Sequence, residues 1–300
     1  SHIINVYMFF PFIFEIFLYM LYFKEIKNVS SLGENVKPIS IHRSKHKKPI
    51  SDKEFGEYTS GLIEGDGHMH PKGMNMTMAF NNLDISLAYY MKKRMGAGVV
   101  RVVKDKNALV YISNKQGAIT IAKLINGNIR TLDKLESFNK TLERINLELD
   151  NPMMSQKTRL SEITNSYWLT GFTDADGSFQ MKTIDRKDRN LQEVRLNFQM
   201  DQKKKYILEK IQEELGGNMG YRNKQDTYYY GSTSFGNARK IIKYFDKYPL
   251  LSTKYTNFIY WRKVYMLIYN KKHLTVKGIL LIEKIKSKTN SYLNKMLNME

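Results

Sequence analysis

The stretch Thr59-Ser60-Gly61-Leu62-Ile63-Glu64-Gly65-Asp66-Gly67 returns, altered, as Leu169-Thr170-Gly171-Phe172-Thr173-Asp174-Ala175-Asp176-Gly177. Their last acids, Asp66 and Asp176, lie 110 positions apart, the separation of a duplicated small domain. The residues C-terminal to each stretch are duplicated too. Met74, Met76, Met78 and Phe80 alternate with Asn75, Thr77 and Ala79, and Val194, Leu196, Phe198 and Met200 alternate with Arg195, Asn197 and Gln199. A period of two reads as a half-buried strand. Helical stretches come next, Ile85 to Met95 and Lys204 to Leu215, stopped at Gly96 and Gly216 as glycine commonly stops helices. Thr131 to Leu149 and Thr253 to Tyr269 supply closing helices, and Asp150-Asn151-Pro152 marks a boundary. The expected fold is α+β: two pseudo-symmetric αββαββα domains, 51–150 and 151–300, behind an extension at 1–50.

The repeated stretch has a physical logic. Gly61 and Gly65 are four apart, as are Gly171 and Ala175, so each helix carries small residues on one face and two such faces let backbones approach closely. Packed about a pseudo-twofold axis, the two helices converge at their C-terminal ends and bring Asp66 and Asp176 together. A helix C-terminus already carries partial negative charge, and two neighbouring carboxylates disfavour joint ionisation. A hard divalent cation reverses that penalty and recruits phosphate oxygens and water to complete its shell. Read singly, an Asp-Gly pair after an apolar helix is a helix stop and turn; two copies at equivalent positions argue for a site. Glu64 and Asp174, two positions earlier, are assigned to backbone bonding near the opposite helix. His68 and His70 have no matching pair in the second copy and read as surface or strand residues.

Composition points the same way. Among 300 residues, 48 Lys and Arg against 29 Asp and Glu leave a net charge of +19, which calls for a polyanion, nucleic acid first and an anionic membrane second. The 42% hydrophobic and 12% aromatic content suffices for a sizeable core. The absence of cysteine excludes disulfides, thiolate metal sites and cysteine nucleophiles. Ile3 to Phe23 is almost wholly apolar and about long enough to span a bilayer, yet it lacks the marks of a transit peptide or secretory signal. Its rival reading is a remnant of an upstream coding segment, joined to the folded part by the polar, basic stretch Lys27 to Ile50.

At the two motifs the chain resembles the LAGLIDADG homing endonucleases in their single-chain, two-motif form. Leu169 to Gly177 departs from the name only at Thr170, Phe172 and Thr173, and Thr59 to Gly67 departs at Thr59, Ser60, Glu64 and Gly65. The resemblance implies a saddle over DNA, the motif helices at the domain interface and metal held by Asp66 and Asp176, with Mg²⁺ as cofactor and Mn²⁺ able to substitute. It also implies a basic residue beside the scissile phosphates, Lys254 in Pro249-Leu250-Leu251-Ser252-Thr253-Lys254, and a water-ordering polar residue, Gln202. In the first copy Asp84 stands for the polar residue, and Arg130 or Lys134 for the base.

A β-ribbon fits the major groove and its outward side chains reach base edges. The candidate readers are Gln180, Lys182, Arg195, Asn197, Gln199, Arg222 and Lys224 in the second copy and Asn75, Thr77, Lys104 and Lys106 in the first. The expected activity is metal-dependent, site-specific double-strand cleavage by a pseudo-symmetric monomer, promoting intron mobility. The alternative is an RNA maturase that assists splicing of its host group I intron, alone or in addition. The resemblance, with an A/T-rich look to the residue usage, places the protein in a fungal mitochondrial matrix.

Overall fold

A computed structural model describes residues 39–158, 162–186 and 191–297. The apolar stretch Ile3 to Phe23 and the linker as far as Pro38 lie outside them; among the described residues no helix is long and apolar enough to cross a membrane. The described residues from His42 onward form one compact unit.

The first repeat runs α1 (Asp52–Asp66), β1 (Gly67–His70), β2 (Asn75–Asn81), α2 (Ile85–Met95), β3 (Val99–Val103), β4 (Ala108–Ile112), α3 (Lys115–Ile125) and α4 (Leu132–Asn146). The second runs α5 (Trp168–Asp176), β5 (Gly177–Arg186), β6 (Leu191–Gln202), α6 (Lys205–Leu215), β7 (Asn218–Arg222), β8 (Thr227–Ser232), α7 (Phe235–Lys247), α8 (Lys254–Tyr269) and α9 (Val276–Leu297). Each repeat is αββαββα and then continues: the helix from Lys115 precedes the closing helix expected near Thr131, and a further helix comes after Tyr269. Both sheets are antiparallel with the same strand order, β1-β2-β4-β3 and β5-β6-β8-β7.

Local chemistry explains the boundaries. Ser51 caps α1 through a capping box, accepting from the Glu54 amide at 3.2 Å while Glu54 accepts from the Ser51 amide at 3.3 Å. At the other end the chain passes straight from helix to strand at Gly67, where a Cβ would stand 2.4 Å from the Ile63 Cα. Gly177 repeats this, a Cβ there meeting the Thr173 methyl at 2.4 Å. Both glycines have extended backbone angles, so the requirement is room and not a left-handed turn. Gly96 and Gly216, with φ of +69° and +70°, are the left-handed stops.

The inner face of the first sheet buries Met69, Met76, Met78, Phe80, Leu109 and Tyr111 against its helices. The second is built on rings: Phe179 lies 5.0 Å from Phe198, 5.4 Å from Phe258 and 5.7 Å from Trp261. Part of the stretch expected as linker belongs to the folded unit. His46 Nε2 donates to the Leu250 carbonyl at 2.8 Å in the second repeat, and the Pro49 carbonyl accepts from Arg94 at 2.9 Å in the first.

Candidate functional site

The two motif helices, α1 and α5, pack through their glycines. A Cβ on Gly61 would fall 1.9 Å from the Trp168 carbonyl oxygen, and one on Gly65 would fall 2.3 Å from the Ala175 Cβ and 3.2 Å from a carboxylate oxygen of Asp176. The faces of Gly61, Gly65, Gly171 and Ala175 are therefore in contact, and the helix ends that carry Asp66 and Asp176 meet.

Two carboxylates just behind those ends brace the arrangement. Glu64 is buried and accepts from the amides of Arg130 at 2.7 Å and Thr131 at 2.6 Å, from the Thr131 hydroxyl, and from the Trp168 indole of the opposite motif helix. Asp174 does the same from its side, accepting from the Leu251 amide at 2.8 Å, from Ser252, and from the Tyr58 hydroxyl of the opposite motif helix at 2.9 Å. Each ties the loop before its own repeat's closing helix to the other repeat. Burial pushes Glu64 up to about 7, against the pull of its donors. Trp168 and Tyr58, which receive no role from the sequence pattern, complete this lattice.

Those loops deliver one lysine each to the acids. Lys254 Nζ donates to the carbonyls of Ala175 at 2.6 Å and Thr173 at 3.2 Å, and Lys134 Nζ to that of Gly67 at 2.5 Å. Both sit at helix C-terminal carbonyls, where a cation offsets the accumulated dipole. Burial lowers the pKa of both lysines, and Asp66 and Asp176 act against it on each. Of the two basic candidates in the first repeat, Lys134 stands at the acids; the Arg130 guanidinium lies 5.4 Å over the Trp168 ring.

Burial raises Asp66 above the usual carboxylate range, with Lys254 and Lys134 pulling it back. Asp176 is raised to about 6, by burial first and by the Asp66 charge second. Gln202 donates to a carboxylate oxygen of Asp176. Asp84 is not its counterpart. Gly177 pairs with Met200 and Gly67 with Met78, so the residue in register with Gln202 is the buried Phe80. Asp84 instead accepts from the Thr253 amide at 2.7 Å and thus steadies the start of the helix that carries Lys254. A cavity of about 420 Å³ opens beside Asp66, bordered by Asn81, Asp84, Ser178, Gln180 and Lys254.

The donors suit a hard divalent cation: two carboxylate oxygen sources, held together at a helix-end cluster that their own repulsion opposes. Among the described residues no group of three or more His, Cys, Asp or Glu forms a metal cluster, so phosphate oxygens and water would fill the remaining positions.

The sheet faces away from the core hold most of the expected base readers. Asn75 and Thr77 point outward on β2, Gln180 and Lys182 on β5, Arg195, Asn197 and Gln199 on β6, and Arg222 on β7. Lys104, Lys106 and Lys224 are not on strands; they occupy three-residue helical turns at hairpin tips, because left-handed Asn107 and Asp226 turn the chain there. Gln180, Asn197 and Gln199 hydrogen-bond one another, and Arg222 pairs with Asp201 at 2.8 Å. His68 and His70 also point outward on β1, ring centroids 4.6 Å apart.

The family profile described as LAGLIDADG endonuclease matches residues 169–265. Over 256 residues the chain is 49% identical to an uncharacterized cox1 intron-2 37.2 kDa protein of Schizosaccharomyces pombe, covering 83% of this chain and 76% of that one. It is 30% identical to probable intron-encoded endonuclease 4 of Neurospora crassa, covering 80% of this chain but only 45% of the relative. It is 26% identical to the intron-encoded RNA maturase bI4 of Saccharomyces cerevisiae, covering 66% of this chain and 30% of the maturase. Among solved structures, I-SmaMI bound to an uncleaved DNA target in the presence of calcium ions superposes with a TM-score of 0.63 at 20% identity, over 78% of this chain and 98% of that one.

Proposed function

The chain belongs to the LAGLIDADG endonuclease family, and we propose that it is a site-specific, metal-dependent homing endonuclease that cuts both strands of a DNA target as a monomer. The observation that carries the reading is the meeting of Asp66 and Asp176 at the ends of two helices locked through Gly61 and Gly171, with one lysine at each.

Asp66 and Asp176 would hold a divalent cation, Mg²⁺ or Mn²⁺, which would supply an acidified water and offset charge on the attacked phosphodiester and its leaving oxygen. Lys254 and Lys134, anchored by the carbonyls at the motif ends, add fixed positive charge where negative charge develops on the phosphate. Gln202, bonded to Asp176, orients the attacking water on its side of the site. Outward residues of both sheets, with Arg222 and the turn lysines Lys104, Lys106 and Lys224, hold the duplex through bases and phosphates.

A plasmid carrying the intronless form of the host gene tests this directly. Linearisation with Mg²⁺ and none with EDTA is expected; no cleavage in either condition refutes it. The likeness to an intron-encoded RNA maturase favours one second reading, assistance to splicing of the host intron. That activity needs neither acid, so Asp66→Asn and Asp176→Asn would keep it. The intron-encoded fungal relatives and the residue usage support a mitochondrial location, where intron mobility would be its effect.

A further inference from the structure

The two sheets present different chemistry to the same partner. Met78 and Met200 each face the glycine that ends a motif helix and pair on their other side with a tyrosine, Tyr111 or Tyr230, so the outward positions of the two sheets can be matched one to one. On the first sheet the apolar ones are Ala79, Val99, Val103, Ala108, Val110 and Ile112. Ala79 is exposed, Val99 is 43% exposed, and the others are half-buried. Their counterparts are Asp201, Asn218, Arg222, Thr227, Tyr229 and Gly231. On β3 and β4 the first sheet's outward face is methyl groups around a single cation, Arg101, which pairs with Val110 and has Gly220 as its counterpart; the second sheet is otherwise polar, aromatic or bare there.

These methyls belong to no core, because the core side of the same strands carries Met76, Met78, Phe80, Leu109 and Tyr111. They form a contiguous patch rather than scattered apolar residues, and such a patch marks an interaction site. Continuity fixes its partner: it shares a sheet face with His68, Asn75 and Thr77 beside Asp66, and Arg101 among the methyls and Lys104 and Lys106 at the adjoining hairpin tip supply cations for phosphates. In the major groove only thymine presents an apolar group, its C5-methyl, whereas polar base edges pressed against valines would be left unpaired.

We infer that the first repeat reads a thymine-rich half-site through apolar contact with thymine methyls, while the second reads its half-site by hydrogen bonds. The inference rests on the endonuclease reading and names the substrate's base composition.

The test uses the full chain. Duplexes it retains from a randomised pool define the site, and deoxyuridine then replaces thymine in one half at a time, deleting only the methyl. One half should lose about threefold to fourfold in affinity for each contacted methyl, and the other should stay within twofold. Val110→Ala with Ile112→Ala should erase the difference in the sensitive half. Equal responses in both halves, or a preference unchanged in the double variant, overturn the inference and leave the endonuclease reading intact. A double variant that changes oligomeric state but not DNA affinity assigns the patch to a protein and overturns it as well. A pool from which no duplex emerges contradicts the endonuclease reading itself.

Discussion

Gly61 and Gly171 each lie against the other's helix backbone: a Cβ on Gly61 would stand 1.9 Å from the Trp168 carbonyl oxygen, and one on Gly171 would stand 2.0 Å from that of Tyr58. The two contacts are equivalent across the pseudo-twofold axis, and they set the distance between Asp66 and Asp176.

Gly171→Leu should therefore lose twice. Overpacking of this kind costs about 1 to 3 kcal/mol, lowering Tm by several degrees. Cleavage should fall further than the folded fraction does, because separated helices part the acids. Gly236→Ala, at a position with nothing within 4 Å of a Cβ, should do neither. Melting and cleavage of both variants check this; a folded Gly171→Leu protein cutting at the normal rate contradicts the interface.

Glu64 predicts a slope of stability with pH. Its folded-state pKa of about 7 lies above the ordinary 4.5, so between these values the folded state holds the extra proton. Its contribution is whole below pH 4.5 and is lost as pH rises through 7. Denaturant titrations at several pH values should show stability falling over that window, with Asp176, raised to about 6, adding in the same direction. Glu64→Gln should flatten the slope without abolishing folding; an unchanged slope shows that the proton resides elsewhere.

The motif helices and the alternating strands were legible because their periods, about 3.6 and two, survive in the residue types. Lys115–Ile125 was equally open to reading, since Ala118, Ile121, Ala122 and Ile125 keep a helical period. The counterpart of Gln202 was not. Asp84 lies 18 residues beyond Asp66 and Gln202 lies 26 beyond Asp176, and the intervening hairpins differ in length, so strand register and not spacing selects Phe80. Arg130 and Lys134 could not be separated by sequence, because both flank the loop that Glu64 fixes; only the indole under Arg130 removes it from the acids.

Gln202 bonds Asp176, and Phe80 holds the matching place beside Asp66. Gln202→Leu should therefore slow one strand's cut more than the other's, and nicked circles should accumulate from supercoiled plasmid. Equal slowing of both strands argues that Gln202 serves the whole site.

Affinity should fall steeply with salt. A saddle that neutralises six to ten phosphates loses about three to five decades between 50 and 200 mM salt, measurable by fluorescence anisotropy on the selected duplex. A flat response excludes phosphate contact as the source of binding.

Double-strand cleavage by Asp66→Asn and Asp176→Asn, measured beside their DNA affinity, decides whether the two acids form one metal-dependent cutting site. Both variants should bind the target as wild type does, or more tightly with a carboxylate removed from the phosphates, and neither should linearise the plasmid with Mg²⁺. Linearisation at the wild-type rate by either variant would show that the paired acids do not carry the reaction.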